Sequence, residues 1–330
     1  MARVLRRVFY KYRLFLFFIL MLTIIGSCFL ALYPIQEQKN TREVKDDKGE
    51  NVVREETKNV INKHEDESPA TGHRLAVIVP FRDRFEELMD FVPHMTKFLN
   101  AQKVHHKIFA INQIDNYRFN RASLINIGFL ESKSQCDYIA MHDVDLLPLN
   151  PALSYSYPEN GAFHVAAPEL HPLYHYKKFV GGILLVKGSD FEKLNGLSNK
   201  YWGWGLEDDE FFVRMKKLGI TITRPVGITT GNQTFKHVHD RRRTRDKSRF
   251  FDQKEKTRRL DKITGVNSVD YTVDSKHELT IDDGCVTVIN VKLKCDLDFT
   301  PWCLMKEDHE VYLKLKETSG LQMFSFHLIS

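Results

Sequence analysis

DYIAMHDVD, residues 137–145, decides the architecture: a short apolar run leads directly into two aspartates with one residue between them. The run is too short for a helix and reads as a buried strand whose end carries acids. Working upstream, KIFAINQ (residues 107–113) and LAVIVPF (residues 75–81) repeat the strand signal. Residues 85–99 and 121–132 carry apolar side chains at helical spacing. Downstream, GGILLVKGSDF (residues 181–191) reads as a strand leading to a helix, and EDDEFFVRMKKL (residues 207–218) as a helix with its acids in the first turn, where the dipole favours them. Strands alternating with helices predict an α/β class with a mixed, largely parallel central sheet. Ligands gather beyond the carboxyl ends of such strands, where Pro80-Phe81-Arg82 and Asp143-Val144-Asp145 fall.

Outside this alternating region the chain changes character. Its 330 residues are 42% hydrophobic and 28% charged, too apolar for a disordered chain. Residues 14–32 (LFLFFILMLTIIGSCFLAL) carry no charge and follow Arg3, Arg6, Arg7, Lys11 and Arg13. Such a run spans a bilayer, and its basic flank stays cytosolic, which predicts a type II anchor; a cleaved signal peptide is the alternative. Residues 33–72 are polar and read as a flexible stem. The expected division is residues 1–13 cytosolic tail, 14–32 transmembrane anchor, 33–72 stem and 73–330 luminal domain.

Four cysteines then face an oxidising compartment. Cys295 and Cys303 bracket a short loop and are expected to pair, Cys136 reads as a buried thiol, and Cys285 is open to either state. Asn232 heads a glycosylation sequon. Residues 236–262 hold twelve Lys and Arg against five Asp and Glu. Luminal placement argues against nucleic acid as the partner of this basic run, leaving a solvated face, an anionic ligand or an acidic glycan.

Asp143 and Asp145 alternate along an extended segment and share a face. Two like charges held together call for a cation or donors, unless they are a simple capping pair. His237 and His239 are also two apart, and with Asp145 they make a nitrogen and oxygen set that suits Mn2+ as well as zinc, Mn2+ being favoured when phosphate oxygens complete the sphere. The bland alternative is two exposed histidines in a basic loop.

In WGWGLEDDEFF (residues 202–212), Trp202 and Trp204 sit between glycines beside three carboxylates. Sugars stack on such rings, and a pliable loop closes over a donor; an aromatic core contact is the alternative. Glu207, Asp208 and Asp209 project about 100° apart on a helix, so at most one is expected to act on an acceptor hydroxyl. A nucleotide sugar has a good leaving group once a metal neutralises its diphosphate, so one base suffices and displacement inverts the anomeric centre. A glycoside hydrolase needs two carboxylates about 5 to 9.5 Å apart and would leave the metal ligands without a purpose. From another class, a non-catalytic lectin would stack glycans on the tryptophans.

The ordered motifs FRDRFEEL, FNRASLINIGF, MHDVDLLPLN, FVGGILL and WGWGLEDDEF resemble the β-1,4-galactosyltransferase family from residue 75 to about 239. His237-Val238-His239 and ELHPLYHY (residues 169–176) are similar to the branch that adds galactose to xylose on proteoglycan core proteins. The resemblance implies a type II Golgi enzyme of the GT-A fold that uses UDP-galactose and Mn2+ with inversion. By the same resemblance, Pro80, Phe81, Arg82, Arg84, Phe119 and Arg121 hold uridine and diphosphate. Asp143, Val144 and Trp204 also face the donor, and Asp145, His237 and His239 bind the metal. Asp208 is the base on the xylose 4-hydroxyl, and Tyr174, Tyr176, Trp204, Leu206 and Asp209 surround the acceptor. Leu206 departs from the glycine of many members; a side chain there narrows the pocket towards xylose. Transfer to N-acetylglucosamine is the rival within the family.

Overall fold

The computed structural model describes residues 72–229, 231–238, 244–248, 253–258, 261 and 263–318. All lie in the second of two units, Glu65–Ser330. The expected anchor (residues 14–32) and the stem up to residue 71 fall outside the described residues, and so does His239.

Strand β1 (Arg74–Phe81) leads to α1 (Phe85–Ala101), β2 (His105–Gln113), α2 (Arg121–Ser132) and β3 (Tyr138–His142), close to the bounds that periodicity predicts. There follow β4 (Leu146–Pro148), β5 (Ala162–His164), β6 (Ile183–Lys187), α3 (Gly188–Lys193), α4 (Glu207–Lys217), β7 (Ile222–Thr223), β8 (Phe235–His237) and α5 (Gln253–Arg258). The hairpin β9 (Tyr271–Ile281) and β10 (Gly284–Leu293) and helix α6 (Lys306–Thr318) end the described chain. Eight strands form one sheet in the order β7-β5-β6-β3-β1-β2-β10-β9. The sheet is mixed, as expected. Its parallel pairing is concentrated at the centre, where β3, β1, β2 and β10 run together, whereas β6 pairs antiparallel with both β3 and β5, and β9 antiparallel with β10.

The period of two sorts the central strands into two apolar layers. Leu75, Val77, Val79 and Phe81 of β1 pack with Phe91, Val92 and Met95 of α1 on one face. Ala76 and Ile78 pack with Leu124, Ile125 and Ile127 of α2 on the other. These side chains are almost wholly removed from water, and the burial of each one larger than Ala76 stabilises by about 1.5–3 kcal/mol. Helix α2 starts at a side-chain cap, Asn120 accepting from the Ser123 backbone N–H at 2.9 Å. It approaches β1 so closely that a Cβ on Gly128 would lie 2.3 Å from the Ile78 side chain.

Cys295 and Cys303 form the expected disulfide. Cys136 is only half-buried, which corrects the expectation of a buried thiol, although burial still pushes it up to about 11; Cys285 is exposed. Cys136 sits in the turn between α2 and β3, where one side of the chain still meets solvent.

Candidate active site

Beyond the carboxyl ends of β1 and β3 lies a cavity of about 680 Å³. It is bordered by the chain after β1, the start of α2, the acidic strand end, the turn through Tyr174, the glycine-rich loop before α4, and His237. Of the seventeen residues expected at the site, fifteen line it: Pro80, Arg82, Arg84, Phe119, Arg121, Asp143, Val144, Asp145, Tyr174, Tyr176, Trp204, Leu206, Asp208, Asp209 and His237. His239 falls outside the described residues. Phe81 does not line the cavity, a correction with a simple cause: alternation along β1 turns it into the layer under α1 while Pro80 and Arg82 face the opening.

The cavity's charges are arranged in pairs. Arg121 donates from Nε to Asp143 Oδ1 at 2.8 Å, its Nη2 lies 2.7 Å from the same oxygen, and its Nη1 lies 3.7 Å from Glu207. Burial works against this guanidinium, yet the two carboxylates hold it charged, with its pKa raised. One side chain on α2 thus ties the acidic end of β3 to the first turn of α4. Arg84 lies 3.2 Å from Glu87 and 3.6 Å from Asp145. Arg82 has a different part: it donates to the backbone carbonyls of Gln113, Tyr117 and Asp115 at 2.7–3.1 Å. Its fork shapes the loop that delivers Phe119, whose ring lies 5.9 Å from the guanidinium carbon.

Asp145 and His237 meet because β4 pairs antiparallel with β8, placing Leu146 opposite His237. The Val238 N–H donates to the Asp145 carbonyl at 2.8 Å, and Asp145 Oδ2 lies 3.9 Å from His237 Nε2. Two donors bound to one ion at about 2.1 Å each can be no more than about 4.2 Å apart, so this oxygen and nitrogen fit a single divalent cation.

The glycine-rich loop divides its tryptophans. Trp202 is 3% exposed and packs in the core, which corrects the expectation that both rings offer surface; Trp204 is 39% exposed and borders the cavity. Gly203, between them, has φ +81°, and a Cβ there would lie 2.0 Å from a terminal nitrogen of Arg118. Leu206 takes φ +80° directly before α4, a left-handed conformation that favours glycine. The departure from glycine noted in the sequence therefore carries backbone strain as well as a side chain.

Glu207, Asp208 and Asp209 all border the cavity. The expectation that at most one of them acts on an acceptor hydroxyl concerns chemistry, not lining: the first turn of α4 borders the cavity with all three. Their surroundings separate them. Glu207 is tied to Arg121. Asp209 lies against the Tyr176 hydroxyl, which offsets part of its burial. Asp208 accepts from the Asp209 backbone N–H at 3.0 Å, and burial, reinforced by its two acidic neighbours, pushes its carboxyl well above the usual range. An acid so placed holds a proton readily and suits a general base.

His171 was not anticipated. Its Nδ1 accepts from the backbone N–H groups of Leu173 and Tyr174 at 3.0 and 3.1 Å, and burial lowers its pKa to about 4. A neutral imidazole thus holds the turn that delivers Tyr174, whose ring centroid is 6.4 Å from that of Trp204. Only its place in ELHPLYHY hinted at this.

A sheet that gathers cations, paired acids and aromatic rings at its carboxyl edge has the make of a glycosyltransferase with a GT-A-like fold. Residues 34–158 match the family described as N-terminal region of glycosyl transferase group 7, and residues 161–239 that described as N-terminal domain of galactosyltransferase. Mouse beta-1,4-galactosyltransferase 7 is 56% identical over 243 residues, 73% of this chain and 74% of that one. The xylosylprotein 4-beta-galactosyltransferase of Caenorhabditis elegans is 51% identical over 237 residues, 70% of this chain and 82% of that one. The crystal structure of an aspartate-to-asparagine mutant of Drosophila beta-1,4-galactosyltransferase 7, in complex with manganese, UDP-Gal and xylobiose, aligns with TM-score 0.70 at 56% identity, covering 71% of this chain and all of that one. This chain belongs to the β-1,4-galactosyltransferase family.

Proposed function

We propose that this chain transfers galactose from UDP-galactose, with inversion, to the 4-hydroxyl of β-linked xylose on proteoglycan core proteins, a Mn2+-dependent step of glycosaminoglycan linker synthesis. The observation that carries this reading is the convergence of the Asp145 and His237 pair, the Arg121-anchored acids and Asp208 on one cavity walled by Trp204 and Tyr174. The named activities of the relatives, and the manganese, UDP-Gal and xylobiose of the Drosophila complex, support it.

In this reading Asp145, His237 and His239 hold the metal, and Mn2+ bound there supplies the positive charge that makes the diphosphate a good leaving group. Arg84, next to Asp145, offers its remaining N–H groups to the same phosphates, and Phe119 and Pro80 line the nucleoside end. Asp143, fixed by Arg121, and Val144 orient the donor sugar. Asp208 takes the proton from the acceptor hydroxyl as the new bond forms, and a carboxylate of raised pKa does so efficiently. Trp204, Tyr174, Tyr176, Leu206 and Asp209 seat the xylose. Residues 14–32 anchor the protein as a single-pass type II protein of the Golgi membrane, with residues 73–330 luminal; nucleic acid is not a partner.

The test is galactose transfer from UDP-galactose to a β-xyloside, with and without Mn2+, beside free N-acetylglucosamine. Transfer to the xyloside alone, lost on chelation, is the expected result. Preference for N-acetylglucosamine, or release of free galactose without an acceptor, would overturn the reading.

A further inference from the structure

We propose that Arg245 and Lys247 form an anion subsite on the acceptor side of the cavity, taking a carboxylate from an acidic peptide segment beside the protein-borne sugar. This rests on the reading that the acceptor sugar is carried on protein.

Thr244, Arg245, Asp246 and Lys247 border the cavity, so the segment presents two cations flanking one acid. The acid is turned away from them. Asp246 accepts from Arg118 Nε at 2.5 Å and from the Ser248 backbone N–H at 3.1 Å. Arg118 is itself only 2% exposed and held on all sides, donating to Gln253 Oε1 at 3.0 Å and to the carbonyls of Ser248 and Trp302 at 2.8 Å. The Asp246 carbonyl accepts from the Trp204 N–H at 2.8 Å, locking the segment to the aromatic loop.

With Asp246 committed to a buried arginine, neither Arg245 nor Lys247 has a carboxylate partner among the described residues. Instead they lie against aromatic faces: the Arg245 guanidinium is 5.2 Å from the Trp204 ring and 5.8 Å from that of Tyr174, and the Lys247 ammonium is 5.4 Å from Trp204. A guanidinium held against ring faces by cation–π attraction keeps N–H groups with which to receive a carboxylate through two hydrogen bonds. Of the carboxylates that border the cavity, Asp143 and Glu207 are engaged with Arg121, Asp145 with Arg84 and Asp209 with the Tyr176 hydroxyl. The rings beneath Arg245 are those of the acceptor wall, and exposed Lys177 and Lys178, next to Tyr176, add charge of the same sign. A neutral pentose offers such cations hydroxyl acceptors but no opposite charge; the chain that carries it can offer one.

The experiment compares kcat/KM of the full chain for a xylosylated peptide with Asp and Glu next to the sugar against the same peptide with Asn and Gln. The acidic peptide is expected to be preferred about tenfold at low salt, less so as salt screens the pair. Arg245→Gln should bring the ratio close to one. Lys247→Glu, a reversal on an exposed side chain that does not threaten folding, should lower it and favour a lysine-flanked peptide. A ratio near one in the unaltered protein, or a ratio unchanged in both variants, would overturn the proposal. So would a rise in the KM for UDP-galactose with the peptide ratio intact, which would assign the cations to the diphosphate. Failure to transfer to any xyloside would instead sink the reading of the reaction itself.

Discussion

Replacing Asp208 with asparagine should separate stability from activity. The carboxylate accepts one backbone hydrogen bond and sits next to Glu207 and Asp209, and among the described residues the cation acting on it is the Arg121 that Asp143 and Glu207 share. Its pKa is raised in the folded protein, so the unfolded chain gives up the proton at lower pH and the native state binds more protons between the two values. Stability from this group is therefore lost as pH rises from the ordinary aspartate range through the raised one. Asparagine keeps the acceptor oxygen and removes the charge. Leaving a carboxylate poorly compensated costs upwards of about 1 kcal/mol, and a gain of that size lifts the melting temperature by about 2–4 °C in a domain of this class. Thermal unfolding of Asp208→Asn at pH 7 should show that gain, and it should vanish in acid, where the aspartate is already protonated. Turnover should fall about 10²- to 10⁴-fold while donor binding persists. A variant melting below the parent at pH 7, or turning over within a few-fold of it, would refute the argument.

Other substitutions test neighbouring features. His237→Ala should raise the Mn2+ concentration needed for half-maximal transfer at least about tenfold, read by metal titration of the chelated protein. Leu206→Gly relieves a left-handed residue and opens the pocket; transfer to xylose should drop about tenfold relative to acceptors bearing a hydroxymethyl group, as measured by competition. Gly203→Ala forces a Cβ onto buried Arg118 at a positive φ, and should cost at least about 2 kcal/mol in urea unfolding.

The sequence shows the central elements plainly because their apolar periods differ: alternation in residues 75–81 and 107–113, helical spacing in residues 85–99 and 121–132. The same logic placed Asp143 and Asp145 at a strand end and Asp208 in the first turn of a helix, and both places open on the cavity. Besides His171, three features escaped that logic. Phe81 and Trp202 lie within motifs that face the cavity, yet each points the other way, and a motif does not reveal which of its members turns inward. The left-handed turn at Leu206 leaves no trace in a residue type that ordinarily avoids it. Arg118 and Asp246 meet across 128 residues, and their pairing depends on buried tertiary packing that no local pattern encodes.

The order of the strands has a consequence for synthesis. β10 lies against β2 deep within the sheet, Asn290 pairing with Asn112 from 178 residues earlier. A chain emerging from the ribosome completes every residue matched to the family by position 239, while β2 still presents an unpaired edge next to Ile108, Phe109 and Ile111. Closure waits for the last hairpin, so a stop codon before Gly284 should yield a polypeptide that retains nearly all the reactive side chains and is cleared or aggregates before it can use them.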